Sequence, residues 1–136
     1  VVTRRFGKEQ LQAFQESRGL AVRGGRRHRF IHIWAVVVEG RLFARSWSVK
    51  PNGWYRAFLG DPSGAIQTGG RTIQVHAVHP RSRRLLGLID RAYALKYDTP
   101  ASLKYVRDLC RPRSKRTTTE FVPAQTVLGA RPTRGR

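Results

Sequence analysis

This chain is short of acidic residues, of cysteine and of long apolar runs, and each shortage excludes something. Its 136 residues hold only eight Asp and Glu against 27 Lys and Arg, a formal net charge of +19. Acids scattered singly do not suggest a catalytic carboxylate pair. The single cysteine, Cys110, excludes an intrachain disulfide and a cysteine-rich zinc site, and fits a reducing, cytoplasmic setting. No stretch approaches the ~20 apolar residues of a membrane span, and the N-terminal residues show no signal-like apolar core. The G-x-S-x-G, P-loop, H-E-x-x-H and G-x-G-x-x-G patterns are all missing. An enzyme built from this sequence therefore takes its chemistry from a bound cofactor.

What the chain has in abundance is positive charge, mostly arginine. The guanidinium fork grips phosphate and carboxylate, and a field of this sign draws phosphorylated molecules of every kind. Hydrophobic and charged shares of 40% and 26% are those of a globular protein, and the length suits one domain.

Hydrophobic periodicity orders the elements. Residues 7–19 predict a short helix with Leu11 and Phe14 on one face and Gly19 as a left-handed terminator. Residues 21–29 read as a strand end and a basic loop. Residues 29–38, "RFIHIWAVVV", predict one strand apolar on both faces: Phe30, His32, Trp34, Val36 and Val38 on one, Ile31, Ile33, Ala35 and Val37 on the other. Such a strand suits a barrel wall that also packs against a helix or a second subunit. Glu39-Gly40 is a tight turn returning through 41–47. A second hairpin spans 65–78 about Gly69-Gly70. A helix over 82–97 carries a stripe of Leu85, Leu88, Ile89, Ala92 and Leu95. Thr99-Pro100 opens another helix that stops near Pro112, and 117–122 is a late strand. Antiparallel hairpins with short helices between them predict an α+β fold, a small antiparallel barrel over 1–122. Residues 123–136, with two prolines and three arginines, form a basic C-terminal tail.

The stretch "RSWSVKPNGWYRAF" (45–58) concentrates the candidate chemistry. Arg45, Ser46, Ser48 and Lys50 surround a turn that leads into a helix start near Gly53, a plausible phosphate site. Trp54 and Tyr55 can stack on a flat ring, or pack with Phe58 into the core. A second basic cluster, Arg26, Arg27, His28 and Arg29, precedes the main strand. Pairing of 29–38 with 41–47 places Arg29 near Trp47, at the same end of the hairpin as the corner. His76 and His79 are not expected to ligate a metal, because their spacing on a strand end splits them between faces. His32 reads as a core histidine more readily than as a catalyst.

The run "FIHIWAVVVEGRLFARSW…WYRAFL…GAIQTGGRTIQVHAV", followed by "LIDRAYALKY" and "RTTTEFVP", resembles an uncharacterised bacterial family, domain of unknown function 2255, over roughly residues 6–123. Its most specific elements are the W-Y-R-A corner, the G-G-R hairpin and the A-Y-x-x-K-Y helix end. That family is similar to the flavin-binding split barrels, including the pyridoxamine phosphate oxidases and the deazaflavin-dependent reductases. The resemblance implies a split barrel, a homodimer and an FMN or deazaflavin cofactor, with oxidoreductase activity. It matches Ser46, Ser48, Lys50, Trp54 and Tyr55 to the family's cofactor site; with Arg29 brought in by the strand register, the expected phosphate site is Arg29, Ser46, Ser48 and Lys50, with the ring near His32 and Trp34 and Trp54 and Tyr55 as its wall. Ile31 and His32 depart from the small hydroxyl and proline of relatives and narrow the cleft. The alternatives are a dimeric barrel without cofactor and a module that binds nucleic acid, the latter expected only as weak electrostatic binding.

Overall fold

The computed structural model describes residues 5–47 and 53–124. Seven antiparallel strands form one sheet in the order β2-β1-β5-β6-β7-β4-β3. These are β1 (Leu20–Gly24), β2 (Ile31–Ile33), β3 (Ala35–Val38), β4 (Arg41–Ala44), β5 (Ser63–Thr68), β6 (Arg71–Val78) and β7 (Thr119–Pro123). The helices are α1 (Lys8–Glu16), α2 (Trp54–Gly60), α3 (Arg83–Lys96), α4 (Pro100–Leu109) and α5 (Pro112–Lys115). The two outer strands of the sheet, β2 and β3, are consecutive in the chain and separated by Trp34 alone. The sheet is thus a nearly closed barrel in which the peptide chain itself joins the two edges. This is the α+β split barrel expected from the sequence. Among the described residues, no helix is long and apolar enough to cross a membrane.

The long strand expected over 29–38 is two strands. β2 pairs with β1 through Ala21↔His32, while β3 pairs with β4 through Ala35↔Ala44. The ladder that was expected to carry Arg29 alongside Trp47 therefore stops at Ala44. The alternation survives the break. Ile33 and Ala35 enter the barrel core with Val22, Leu42, Ile66 and Phe121. Val36 and Val38 face outward and join Phe43 beneath α3 and α4, where Leu85, Ile89, Tyr93 and Val106 cover them. The partner of the second apolar face is a helix layer, which is one of the two coverings the pattern allowed.

Hydrogen bonds from α3 hold the break at Trp34. The Tyr93 hydroxyl donates to the Trp34 carbonyl at 2.9 Å and accepts from the Arg45 N–H at 3.0 Å. The Ala35 N–H donates to the Tyr97 hydroxyl at 3.2 Å, and Lys96 Nζ donates to the Ala35 carbonyl at 2.7 Å. Buried backbone groups that leave a ladder need such partners. The A-Y-x-x-K-Y sequence is therefore the clamp of the barrel's closure.

Caps and turns follow the sequence. Ser82 and Thr99 accept from the N–H groups of Leu85 and Ser102, and Pro100 opens α4. Glu39, Gly40, Gly69 and Gly70 all have positive φ, as two-residue hairpin turns demand. Three expectations are corrected. Gly19 is not left-handed; a Cβ there would lie 2.4 Å from the Ile33 carbonyl oxygen, so close strand approach is what requires glycine. Leu95 is 76% exposed, because the buried stripe of α3 runs through Leu85, Ile89 and Tyr93. The strand expected over 41–47 ends at Ala44, and Arg45 and Ser46 leave it for side-chain partners.

Candidate functional site

The β1–β2 connection, residues 25–30, carries three arginines and a histidine in six residues, and Gly25 turns the chain with φ +68. Facing it is α2, which lies against β1 because Gly24 lets it approach; a Cβ on Gly24 would sit 2.8 Å from that of Ala57. Between the loop, α2 and the strands β5, β6 and β7 opens a cleft of about 1360 Å³. Arg23, Arg26, Arg27, Arg56, His28 and His76 line it. A smaller recess of about 270 Å³ adjoins it, shares Gly24, Arg27 and His28, and is completed by Arg29, Ile31 and Trp54.

The electrostatics of the cleft are one-sided. Among the described residues, none of these arginines is ion-paired; the pairs join Arg41 to Glu120, Arg84 to Glu39, Arg111 to Asp108, and both Arg45 and Lys115 to Asp90. The cleft's one carboxylate, Asp61, accepts the Ser63 N–H at 3.0 Å. The Arg23 guanidinium lies over the Phe30 ring, 4.6 Å from its centroid, and its buried Nε has no hydrogen-bond partner. Such a surface offers guanidinium forks to anionic groups such as phosphate or carboxylate.

The residues singled out from the sequence separate into three places. Arg29 and Trp54 line the recess; Trp54 is otherwise a core residue, 8% exposed and packed on Phe58 and Phe121. Ser48 and Lys50 lie outside the described residues. Tyr55 stands apart from the recess, edge-on to His79 at 5.6 Å with its hydroxyl directed at the Arg116 carbonyl.

Arg45, Ser46 and Trp34 belong to the opposite side, under α3 and α4. Arg45 is corrected from ligand contact to structural cation. Its side chain is fully buried; Nε donates to Thr118 Oγ1 at 2.9 Å, Nη1 to Asp90 and the Leu109 carbonyl, and Nη2 to the Leu86 carbonyl. Ser46 is buried as well, its N–H donating to Thr117 Oγ1 and its carbonyl accepting from the Ser114 hydroxyl. Burial alone raises the Asp90 carboxyl, but hydrogen bonds from Lys115 and Arg45 outweigh it and hold Asp90 below its usual range. Trp34 stacks flat on Tyr97, with centroids 4.1 Å apart, and meets Trp47 edge-on. A ring cannot lie on that face of Trp34 while Tyr97 covers it.

His32 lies in a third place, a shallow groove with Ser17, Gly19 and the Gly69-Gly70 turn. It is exposed rather than in the core, and so is Ile31; neither side chain plugs the barrel. His76 lines the cleft while His79 contacts Thr118 and Thr119, and no metal-ligating cluster occurs among the described residues. Arg23, Arg56 and His76 were not legible as site residues. They come from three different elements, and only the packing of α2 on β1 and the β5–β6 hairpin assembles them.

Residues 10–121 match the family described as uncharacterized protein conserved in bacteria, DUF2255. Among solved structures, the conserved hypothetical protein Rv2991 from Mycobacterium tuberculosis superposes with a TM-score of 0.57 at 13% identity, covering 92% of this chain and 85% of that one. An FAD-binding protein from Mesorhizobium loti gives 0.57 at 13% identity over 86% of this chain and 87% of that one. The heme storage protein HutZ from Vibrio cholerae gives 0.52 at 12% identity over 88% and 91%. At these identities the likeness is one of fold. No curated protein matches the chain by sequence.

Proposed function

The chain belongs to the DUF2255 family, and from that premise we propose that it is a split-barrel carrier of a flat, phosphorylated cofactor, a flavin or deazaflavin, bound at the basic recess. The observation that carries this reading is the recess itself, where Arg27 and Arg29, without carboxylate partners among the described residues, stand beside the apolar surface of Ile31 and Trp54. Arg29 takes the phosphate, joined by Ser48 and Lys50 from the segment that leads into Trp54. Ile31 and the edge of Trp54 give the ring an apolar floor, while Phe30 keeps the adjoining Arg23 in place. The bound cofactor supplies hydride or electron transfer, which makes oxidoreductase activity the expected use of the site. The chain's own residues bind, orient and shield.

Two solved relatives of this fold are described as binding FAD or storing heme. Both ligands pair a flat ring with acidic groups, which is the chemistry this recess offers. A cytoplasmic homodimer completes the reading. Ile31 at the recess rim and Val78 at the cleft rim are 41% and 43% exposed, and a second copy covers them.

The test is an absorbance spectrum of the purified protein, followed by fluorescence titration with FMN, a deazaflavin and heme. Saturable binding of FMN or the deazaflavin, abolished by Arg27→Glu with Arg29→Glu, is expected. Binding of neither overturns the proposal, and binding of heme alone replaces it.

A further inference from the structure

The recess beside Trp54 is the small end of a much larger cleft, and the two share Arg27 and His28. Resting on the cofactor reading above, we propose that the ligand carries two linked phosphates, as a dinucleotide does. The second is held in the larger cleft by Arg23, Arg26 and Arg56.

Charge is the first argument. The cleft is lined by four arginines and one carboxylate, a surplus of three positive charges without a protein counter-charge among the described residues. Like charges gathered in one depression repel, and the repulsion is relieved by an anion of matching valence. A single phosphate beside Arg29 leaves the arginines of the larger cleft unmatched.

Geometry is the second. The arginines come from two elements that line the same cleft, Arg26 and Arg27 from the glycine-turned loop and Arg56 from α2, so a ligand lying there meets guanidinium forks from both. Linked phosphates offer acceptors to both at once. The buried Arg23 Nε, without a hydrogen-bond partner among the described residues, lies at the same end of β1.

Volume is the third. The recess of about 270 Å³ suits one end of a ligand, and the cleft of about 1360 Å³ adjoins it at Gly24, Arg27 and His28, which line both. A ligand anchored by its ring beside Trp54 therefore extends toward Arg56.

The experiment compares FMN, FAD and ADP as ligands at physiological salt, on the wild-type chain and on the double variant Arg26→Ala, Arg56→Ala. Both positions are exposed, so the fold tolerates the changes. FAD is expected to bind about tenfold more tightly than FMN, the equivalent of one net charge-assisted hydrogen bond. ADP is expected to displace FAD, and the FAD-to-FMN ratio is expected to collapse toward one in the variant. Equal affinity for FMN and FAD overturns this inference and leaves the cofactor reading standing. Binding of ADP without either flavin supports the diphosphate site and removes the flavin. No binding of any of the three overturns this inference, and failure of the deazaflavin as well overturns the cofactor reading. A single-stranded oligonucleotide that displaces FAD as well as ADP does overturns it in favour of an unselective polyanion surface.

Discussion

Arg45, at the end of β4, and Asp90, on α3, form an ion pair in which the guanidinium is wholly removed from solvent while the carboxylate keeps a 29% exposed edge. The pair ties the barrel to the helix layer just beyond the end of β4. Asp90 also receives Lys115 at 2.8 Å, so one carboxylate answers two cations. Replacing Asp90 by Asn strands the Arg45 charge inside the protein, and breaking a buried pair from one side costs about 3–5 kcal/mol. The expected result in urea unfolding is a loss of about 3 kcal/mol, larger than the loss from Lys115→Met, whose position is partly exposed.

The same carboxylate sets the acid limb of stability. Its folded-state pKa lies below the ordinary value of 3.8, since the hydrogen bonds from Lys115 and Arg45 outweigh the raising effect of burial. A depressed carboxylate stabilises the fold fully above the unfolded value and loses that contribution as pH falls through the folded one. Stability is therefore expected to drop below about pH 4, and the drop is expected to flatten in Asp90→Asn. Urea midpoints measured from pH 6 down to pH 2 check the difference.

The alkaline limb has two opposed parts. Burial, aided by the nearby Arg18, pushes Lys96 down from 10.5 to about 8, so between those values the unfolded chain binds the extra proton and stability rises with pH. Burial pushes the phenols of Tyr97, to about 12, and of Tyr93, further still, above their ordinary 10.0. Their contribution is present below 10 and lost as pH climbs through the folded values. A stability maximum near pH 10 is expected, with the rise toward it removed in Lys96→Met. Thermal unfolding across pH 7 to 11.5 reads both limbs.

Tyr93→Phe removes the hydroxyl that serves the Trp34 carbonyl and the Arg45 N–H. Two buried backbone groups lose their partner, and each unmet group costs about 1–3 kcal/mol. Tyr97→Phe is expected to cost less, because it strands one buried group, the Ala35 N–H, while Lys96 still donates to the Ala35 carbonyl. The contrast between the two variants in denaturant unfolding tests whether these tyrosines act as the clamp of the barrel's closure.

Gly24→Ala forces α2 away from β1, since the new Cβ would lie 2.8 Å from Ala57 Cβ and 3.1 Å from the Phe58 nitrogen. Overpacking of this kind costs about 1–3 kcal/mol. Because Arg56 rides on α2, the variant is expected to weaken ligand binding at the cleft as well as stability. Gly87→Ala, on an α3 face with open space around it, is the control and is expected to leave binding unchanged.

Local chemistry made much of the fold legible. The two hairpin turns, the Thr99 cap and the two-faced apolar strand follow from residue type and spacing, because turns, caps and alternation are decided by near neighbours. The break at Trp34 was not legible, since an unbroken β-branched and aromatic run carries no mark of where its partner changes. Hydroxyls 59 and 62 residues away decide it. The candidate site divided the same way. Arg29 and Trp54 were found near one another, but Arg45 and Ser46 were drawn inward by Asp90, Ser114, Thr117 and Thr118.

By itself the sequence determined an α+β barrel with a strong positive field and a chain without the residues for metal-thiolate or paired-carboxylate chemistry. Only the tertiary structure decided which cations face solvent in one cleft and which are buried as structural pairs. Charge is a property of composition, but whether a guanidinium is free to meet a ligand depends on which carboxylates and carbonyls the fold brings to it. Here the fold pairs Arg45 with Asp90 and leaves Arg23, Arg26, Arg27 and Arg56 around one opening.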